Sequence, residues 1–313
     1  MKLVKYFVVV FAVVLSLTAS VTWLANKGLR KSNVDFYGRI NTAANPQENV
    51  DLLLVGSSRV LKHLDPAIID SVCVVNSYNY GLNSGTIKTW YNIIKYNLFF
   101  HRNIKAIVLN VDYNMFDIAR DPYKDAYYYP FQEDNTGIVM TDSGTTNLIH
   151  KTKIFDIALY DDYAKYAAID GLLRPGKAIA GMYKGYFPNR KLNYFEANPT
   201  EPGVNKKSDI KVAEKGLALL TSCINACSEN KIQLILVVAP YFKKYAPEKY
   251  YNNFGDILDT VKMIAKQRNI PFYDYRDMNI ASDEQYFYNV NHLNSKGAAL
   301  YSLAVADSIK KYF

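Results

Sequence analysis

Val50-Asp-Leu-Leu-Leu-Val-Gly-Ser-Ser-Arg59 decides the fold class of this 313-residue chain. Val50 to Val55 is a short, almost continuous apolar run that stops at Gly56-Ser57-Ser58. It lacks the apolar–polar alternation of a strand with one wet face, and so reads as a strand covered on both sides. Val72 to Val75, Ile104 to Val111 (IKAIVLNV) and Ile232 to Val238 (IQLILVV) repeat the pattern, and Pro271 to Asp274 adds a short fifth strand. Between them lie segments with apolar residues at three- and four-residue steps. Thr86 to Phe99 is one. Ser208 stands where it can cap a helix carrying Ile210, Ala213, Leu217, Leu220, Ile224 and Cys227. Pro247 suits the first turn of a helix reaching about Arg268, and Ser295 to Phe313 forms a last amphipathic helix. Buried strands alternating with helices predict an α/β fold, a parallel sheet between two helical layers in an α/β/α arrangement. Ligands of such sheets bind beyond the carboxyl ends of the strands, which is where the Gly56–Ser58 turn falls.

Two regions break the rhythm. Residues 116–207 are rich in Tyr, Asp, Asn, Gly and Pro, with a helix-like island from Ile154 to Leu173. So long an irregular stretch is expected to be a functional insertion on the ligand side of the sheet, within the domain spanning 50–313. At the other end, Tyr6 to Asn26 carries no charge and is long enough for the roughly 20 residues a spanning helix needs. The small-residue run Thr18-Ala19-Ser20 lies inside this segment, and Trp23 near its far end suits an interfacial anchor. Residues 1–31 are therefore expected to be an uncleaved single-pass membrane anchor with its transmembrane helix at 6–26, in contact with lipid, and 32–49 a polar linker. Lys2 and Lys5 before the segment are balanced by Lys27, Arg30 and Lys31 after it, so charge assigns no orientation.

Composition excludes several classes. Half the residues are apolar and 21% are charged, which is globular. The net charge of +8 is scattered rather than gathered into a basic stripe with interleaved aromatics, so nucleic acid is not an expected partner. The 27 tyrosines could stack on sugars, although general bias explains them equally well. Cys73, Cys223 and Cys227 have no metal-ligand spacing, and their odd number excludes a full disulfide framework. Neither a metal nor another cofactor is expected.

Three features have the residue types an acyl-transfer site needs. Ser58, in a tight turn after the first strand, would present its hydroxyl at the ligand edge with backbone N–H groups nearby; Gly-Ser-Ser after a strand is also an ordinary turn. Asn79-Tyr80-Gly81, followed by Gly85, would let backbone approach a substrate closely, or is simply a loop before a helix. His292, in Asn289-Val290-Asn291-His292-Leu293-Asn294 before the last helix, could act as a general base for a serine distant in sequence.

Taken in order, these blocks resemble the SGNH (GDSL-like) hydrolase and acyltransferase family over roughly Val50 to Phe313, the insertion apart. The resemblance implies a flavodoxin-like SGNH sheet, Ser58 as nucleophile, His292 as base, and Gly81 and Asn114 as oxyanion donors. Asp112 stands where the family has glycine, and Asn289 where it has the triad aspartate. An Asn can orient the imidazole but cannot neutralise the imidazolium. Asp274, Asp277 or Asp283 could replace the missing acid, a Ser–His dyad could suffice, or the site could be impaired.

Among anchored members the resemblance is to proteins of alginate O-acetylation and teichoic-acid D-alanylation. It implies a serine esterase or O-acyltransferase acting on acyl groups of a cell-surface glycan or cell-envelope polymer, with the globular part outside the cytoplasm and a multi-spanning membrane acyltransferase as a partner. The competing expectation is a catalytically impaired scaffold that binds glycan.

Overall fold

Leu52–Val55 (β1), Ser77–Asn79 (β2), Ala106–Asn110 (β3), Gln233–Val238 (β4) and Phe272–Asp274 (β5) pair in parallel in the order β2-β1-β3-β4-β5. The computed structural model in which they are seen describes residues 2–45, 47, 49–134, 152–190 and 207–313. This is the doubly wound order of flavodoxin-like sheets, with its switch point between β1 and β3. Register follows from the apolar runs. Leu52 and Leu54 face the same side as Ala106, Val108, Ile235 and Val237, and pack with Val305, Ala306 and Ile309 of the last helix, Ser295–Ile309. Leu53, Leu109 and Leu236 alternate to the other side and are equally buried. There the helices Ile87–Phe100 and Glu214–Glu229 pack on each other. The expected α/β fold with helices on both faces of a parallel sheet is present.

Several elements fall elsewhere than expected. Val72–Val75 is not a strand. Asp65 accepts a hydrogen bond from the Ala67 N–H, Pro66 fills the first turn, and a helix runs Pro66–Cys73 and ends on Val74 in left-handed conformation. A cap and a proline outweigh an apolar run too short to distinguish helix from strand. Ser208 bridges to Tyr251 instead of capping, and its helix begins at Glu214. Pro247–Lys249 is a 3-10 turn separate from the helix Phe254–Gln267.

The chain forms two compact units, residues 46–122 with 180–313, and residues 1–45 with 123–179. The first holds the sheet. The second corrects the expected boundaries: 32–49 is not a plain linker, because Asp35–Ala43 is a helix with Phe36, Tyr37 and Ile40 buried. Part of the expected insertion joins it, and the island is a 3-10 turn, Asp156–Leu159, followed by the helix Asp162–Leu173. Tyrosines that could have been read as a sugar platform form its interior: Phe36 lies 5.0 Å from Tyr128, and Tyr37 stacks on Tyr163 at 5.9 Å.

Also in this unit is Lys2–Leu29 (α1), long and apolar enough to cross a membrane. Its first twenty residues are almost wholly exposed, but Thr22, Ala25, Gly28 and Leu29 are buried. A Cβ on Gly28 would stand 2.1 Å from the Ala168 carbonyl oxygen, and one on Gly171 would stand 1.9 Å from that of Gly28. Only glycine permits so close a crossing. Thr22 donates to the Ile154 carbonyl at 2.6 Å, and Tyr160 donates to Asn26 Oδ1.

Candidate active site

β1 delivers the site. After Gly56, the Ser57 hydroxyl oxygen caps a short helix by accepting from the Arg59 N–H, and that helix, Ser58–His63, begins on Ser58 itself. The Ser58 N–H therefore belongs to a first turn with no acceptor inside the helix. Far along the chain, Phe287–Asn289 and His292–Leu293 make a two-stranded antiparallel hairpin that presents His292. The Ser58 hydroxyl lies 2.8 Å from His292 Nε2, and His292 Nδ1 lies 3.0 Å from Asn289 Oδ1. Ser58, His292 and Asn289, 234 residues apart in sequence at the extremes (292 − 58), are thus brought together in a chain of hydrogen bonds.

The protonation pattern follows from the backbone. Asn289 Oδ1 also accepts from the N–H groups of Asn291 at 3.0 Å and His292 at 2.9 Å. Two fixed donors require the amide oxygen, not its nitrogen, at that position. The His292 Nδ1 facing the same oxygen must then carry the proton, which leaves Nε2 free to accept from Ser58. Burial pushes the His292 pKa down to about 3, helped by the positive charges of Arg59 and Lys62. No carboxylate opposes this. Asp274 pairs with Arg276 and Lys262, Asp277 with Lys243, and Asp283 accepts from Gln285, so none of the three expected substitutes serves the imidazole.

The oxyanion expectations divide. Asn114 lines the cavity beside Ser58. Gly81 does not. Its N–H is held by Asn79 Oδ1 at 2.9 Å, and its backbone lies so close to that of Leu61 that a Cβ would come within 2.2 Å of the Leu61 nitrogen. It is a packing glycine: Asn79 folds back on the backbone two residues on, an Asx turn that consumes the donor. Ser84, three residues later and in left-handed conformation (φ 56°), lines the cavity in its place.

Sequence reasoning missed four further residues. Asp112 is fully buried and receives the Ser57 hydroxyl and, at 3.3 Å, Arg59 Nε. Burial pushes its carboxyl up, against the opposing pull of Arg59 and Ser57. The Arg59 guanidinium lies 3.3 Å over the Tyr241 ring, and its two terminal nitrogens have no hydrogen-bond partner among the described residues. Ser57, Arg59 and Asp112 clamp the turn that carries Ser58 onto the end of β3. The fourth is His63, at the far end of the Ser58 helix, whose Nε2 accepts the Leu293 N–H at 3.0 Å. Its ring is wholly buried, and desolvation holds its pKa well below the usual histidine value. An Asp where the family has Gly was the one available signal for the clamp; the contact itself spans two strands.

The cavity measures about 150 Å³ and is lined by Ser57, Ser58, Arg59, Ser84, Asp112, Tyr113, Asn114, Asn291 and His292, with no aliphatic side chain among the described residues. No group of metal-ligating side chains occurs among the described residues. What the geometry offers is an activated hydroxyl, a neutral imidazole base and polar groups around a small space.

In comparisons with known proteins, no family model matches this chain, and no curated protein does. Solved structures do match. One, described as a lipolytic protein of the G-D-S-L family from Desulfitobacterium hafniense DCB-2, is 12% identical, covers 85% of this chain and 100% of its own, and superposes with a TM-score of 0.43.

Proposed function

We propose that this chain is a membrane-anchored serine esterase or O-acyltransferase of SGNH type, acting on short acyl esters. The observation that carries the reading is the hydrogen-bonded line Ser58–His292–Asn289. Ser58 Oγ attacks the acyl carbonyl while His292 Nε2 takes its proton. The oxyanion forms among the Ser58 N–H, Ser84 and the Asn114 side chain. His292 returns its proton to the leaving alkoxide, and the released hydroxyl departs. In the second half, water or a sugar hydroxyl gives its proton to His292 and attacks the acyl-serine. The acyl–Oγ bond then breaks, Ser58 Oγ takes the proton back from His292, and the acid or the new ester leaves, so hydrolysis and transfer differ only in the acceptor. A cavity with no aliphatic wall favours an acetyl- or alanyl-sized group over a fatty chain. A cell-surface glycan or cell-envelope polymer is the acceptor class that the family resemblance suggests, with a multi-spanning acyltransferase as the acyl source.

A single-pass anchor is supported by the burial of Thr22, Ala25, Gly28 and Leu29: a helix cleaved as a signal would leave their groove open. One observation favours a second reading, a glycan-binding scaffold: Asn289 supplies no charge to stabilise the imidazolium. A fluorophosphonate probe separates the two. Labelling of the wild type that disappears in Ser58→Ala supports the enzyme, and absence of labelling in a folded wild type supports the scaffold.

A further inference from the structure

Residues 154–160 (Ile-Phe-Asp-Ile-Ala-Leu-Tyr) run beside the last turns of α1 and are tied to it at both ends. The Thr22 hydroxyl donates to the Ile154 carbonyl at 2.6 Å, and the Tyr160 hydroxyl donates to Asn26 Oδ1. Between the ties lies the 3-10 turn Asp156–Leu159. Its surface is the reverse of an ordinary loop's. Asp156, the one charged side chain, is buried, whereas Phe155 and Ala158 are exposed and Ile154, Ile157 and Leu159 half-buried. The carbonyls of Ile154, Phe155 and Ile157 accept from the Thr22 hydroxyl, the Ala158 N–H and the Tyr160 N–H. A turn with its charge inside, apolar groups outside and these carbonyls satisfied suits an apolar surround.

The ties also fix its height. α1 carries no charge between Lys5 and Lys27, and those 21 residues (26 − 6 + 1) rise about 32 Å, the thickness of a hydrocarbon core. Thr22 stands six residues past their midpoint, Ser16, or about 9 Å, and so about 6 Å short of the end of the span. Ile154 shares the height of Thr22, and Tyr160 that of Asn26. Depth, and not the side of α1 on which the turn lies, then decides its surroundings. In a bilayer that α1 crosses, every outward group at this height meets acyl chains or the glycerol layer. A tilt of about 20° moves a group ~10 Å from the helix axis by only about 3 Å, which is less than that margin. Trp23, exposed on α1 at the same height, is a residue type enriched in that layer.

We propose that residues 154–160 are a second membrane contact, seated in the bilayer that α1 enters with Phe155 against lipid. The second unit is then held to the membrane at two points instead of one. The proposal rests on the reading of α1 as a retained anchor and is independent of the chemistry at Ser58.

The test is spin labelling of the full-length chain in phosphatidylcholine vesicles, where oxygen partitions into lipid and a neutral nickel chelate stays in water. Cys73, Cys223 and Cys227 are buried, which leaves the label to an introduced thiol. Val14→Cys reports on the spanning stretch, and Phe155→Cys and Ala158→Cys on the turn. Each labelled chain is required to melt as the wild type does; if Phe155→Cys does not, Ala158→Cys, at a small exposed residue, carries the test. We expect labels at 155 and 158 to be more accessible to oxygen than to nickel, several-fold at 155 and less at 158. Labels there reached mainly by nickel, with that at 14 reached by oxygen, would overturn the proposal and leave the anchor standing. Labels there reached by neither reagent would also overturn it, because protein would then cover the turn. Nickel access at all three positions would end the anchor reading together with the proposal.

Discussion

Burial of His292, with an amide and not a carboxylate at Asn289, keeps the imidazole neutral. His292 accepts a proton from Ser58 only while neutral, and with its pKa held near 3 it is neutral throughout ordinary conditions. We expect the acidic limb seen with an ordinary histidine near pH 6.5 to be missing, with esterase kcat/KM flat between about pH 5 and 8. The cost is a weak base. Asn289→Asp places a carboxylate against Nδ1, raises the imidazole pKa by about 1–3 units and should increase kcat at least ten-fold, short of the roughly 10⁴ that the reverse change costs in a protease triad. A pH–rate profile on an acetyl ester checks both claims; a variant with unchanged rate and profile would mean that His292 is not the base. The clamp gives a second prediction. Asp112→Ala leaves the buried Arg59 guanidinium uncompensated and should destabilise by about 3–5 kcal/mol, whereas Asp112→Ala with Arg59→Met should recover much of the loss in denaturant titration. Ser58, His292 and Asn289 were legible because each sits in a short loop block at an element end. Gly81 was misread because the Asx turn that consumes its N–H depends on a side-chain orientation. Arg59–Asp112 was invisible because it joins the ends of two strands that sequence order does not place side by side.

The helix Ser58–His63 carries Ser58 at its first position and, at its last, a ring that holds the backbone next to His292. His63→Phe keeps the bulk and removes the acceptor; the expected result is a fall in kcat with little change in KM, because the Leu293 N–H is then free to let the hairpin drift. Strands β1, β3 and β4 could be read directly, since apolar runs of that length bounded by polar turns have few alternatives. β2 could not, because Ser-Tyr-Asn carries no apolar signal and is a strand only through pairing with β1. At α1, a chain shortened to start at Ser32 would uncover Ala164, Ala167, Ala168 and Gly171 along the neighbouring helix. We expect such a chain to aggregate or to lose cooperative melting of its second unit, and one starting near Leu17 to be better behaved in detergent; size-exclusion profiles and thermal melts would show it. Gly171→Leu in the full chain should have the same effect as the truncation.

For the whole molecule, acid should be more damaging than the carboxylates alone would suggest. His63 and His292 are held neutral in the folded state, and both can bind protons near pH 6.5 once unfolded. The unfolded chain therefore binds more protons below that pH, and stability falls as pH drops, by up to about 1.4 kcal/mol per pH unit for each histidine. Melting midpoints of the sheet-bearing unit should decline from pH 7 to 5, less steeply in His63→Gln. The division into two units was the least legible feature, because one of them is assembled from the beginning of the chain and a segment nearly eighty residues later (123 − 45 = 78), and no local pattern records that pairing. It also makes α1 more than an attachment. The same helix that is long enough to enter a bilayer supplies Thr22, Ala25, Gly28 and Leu29 to the interior of that unit. Removing or sequestering that helix would therefore do more than detach the chain from a surface: it would take away a piece of the unit's own core and leave its remaining apolar faces open to proteases.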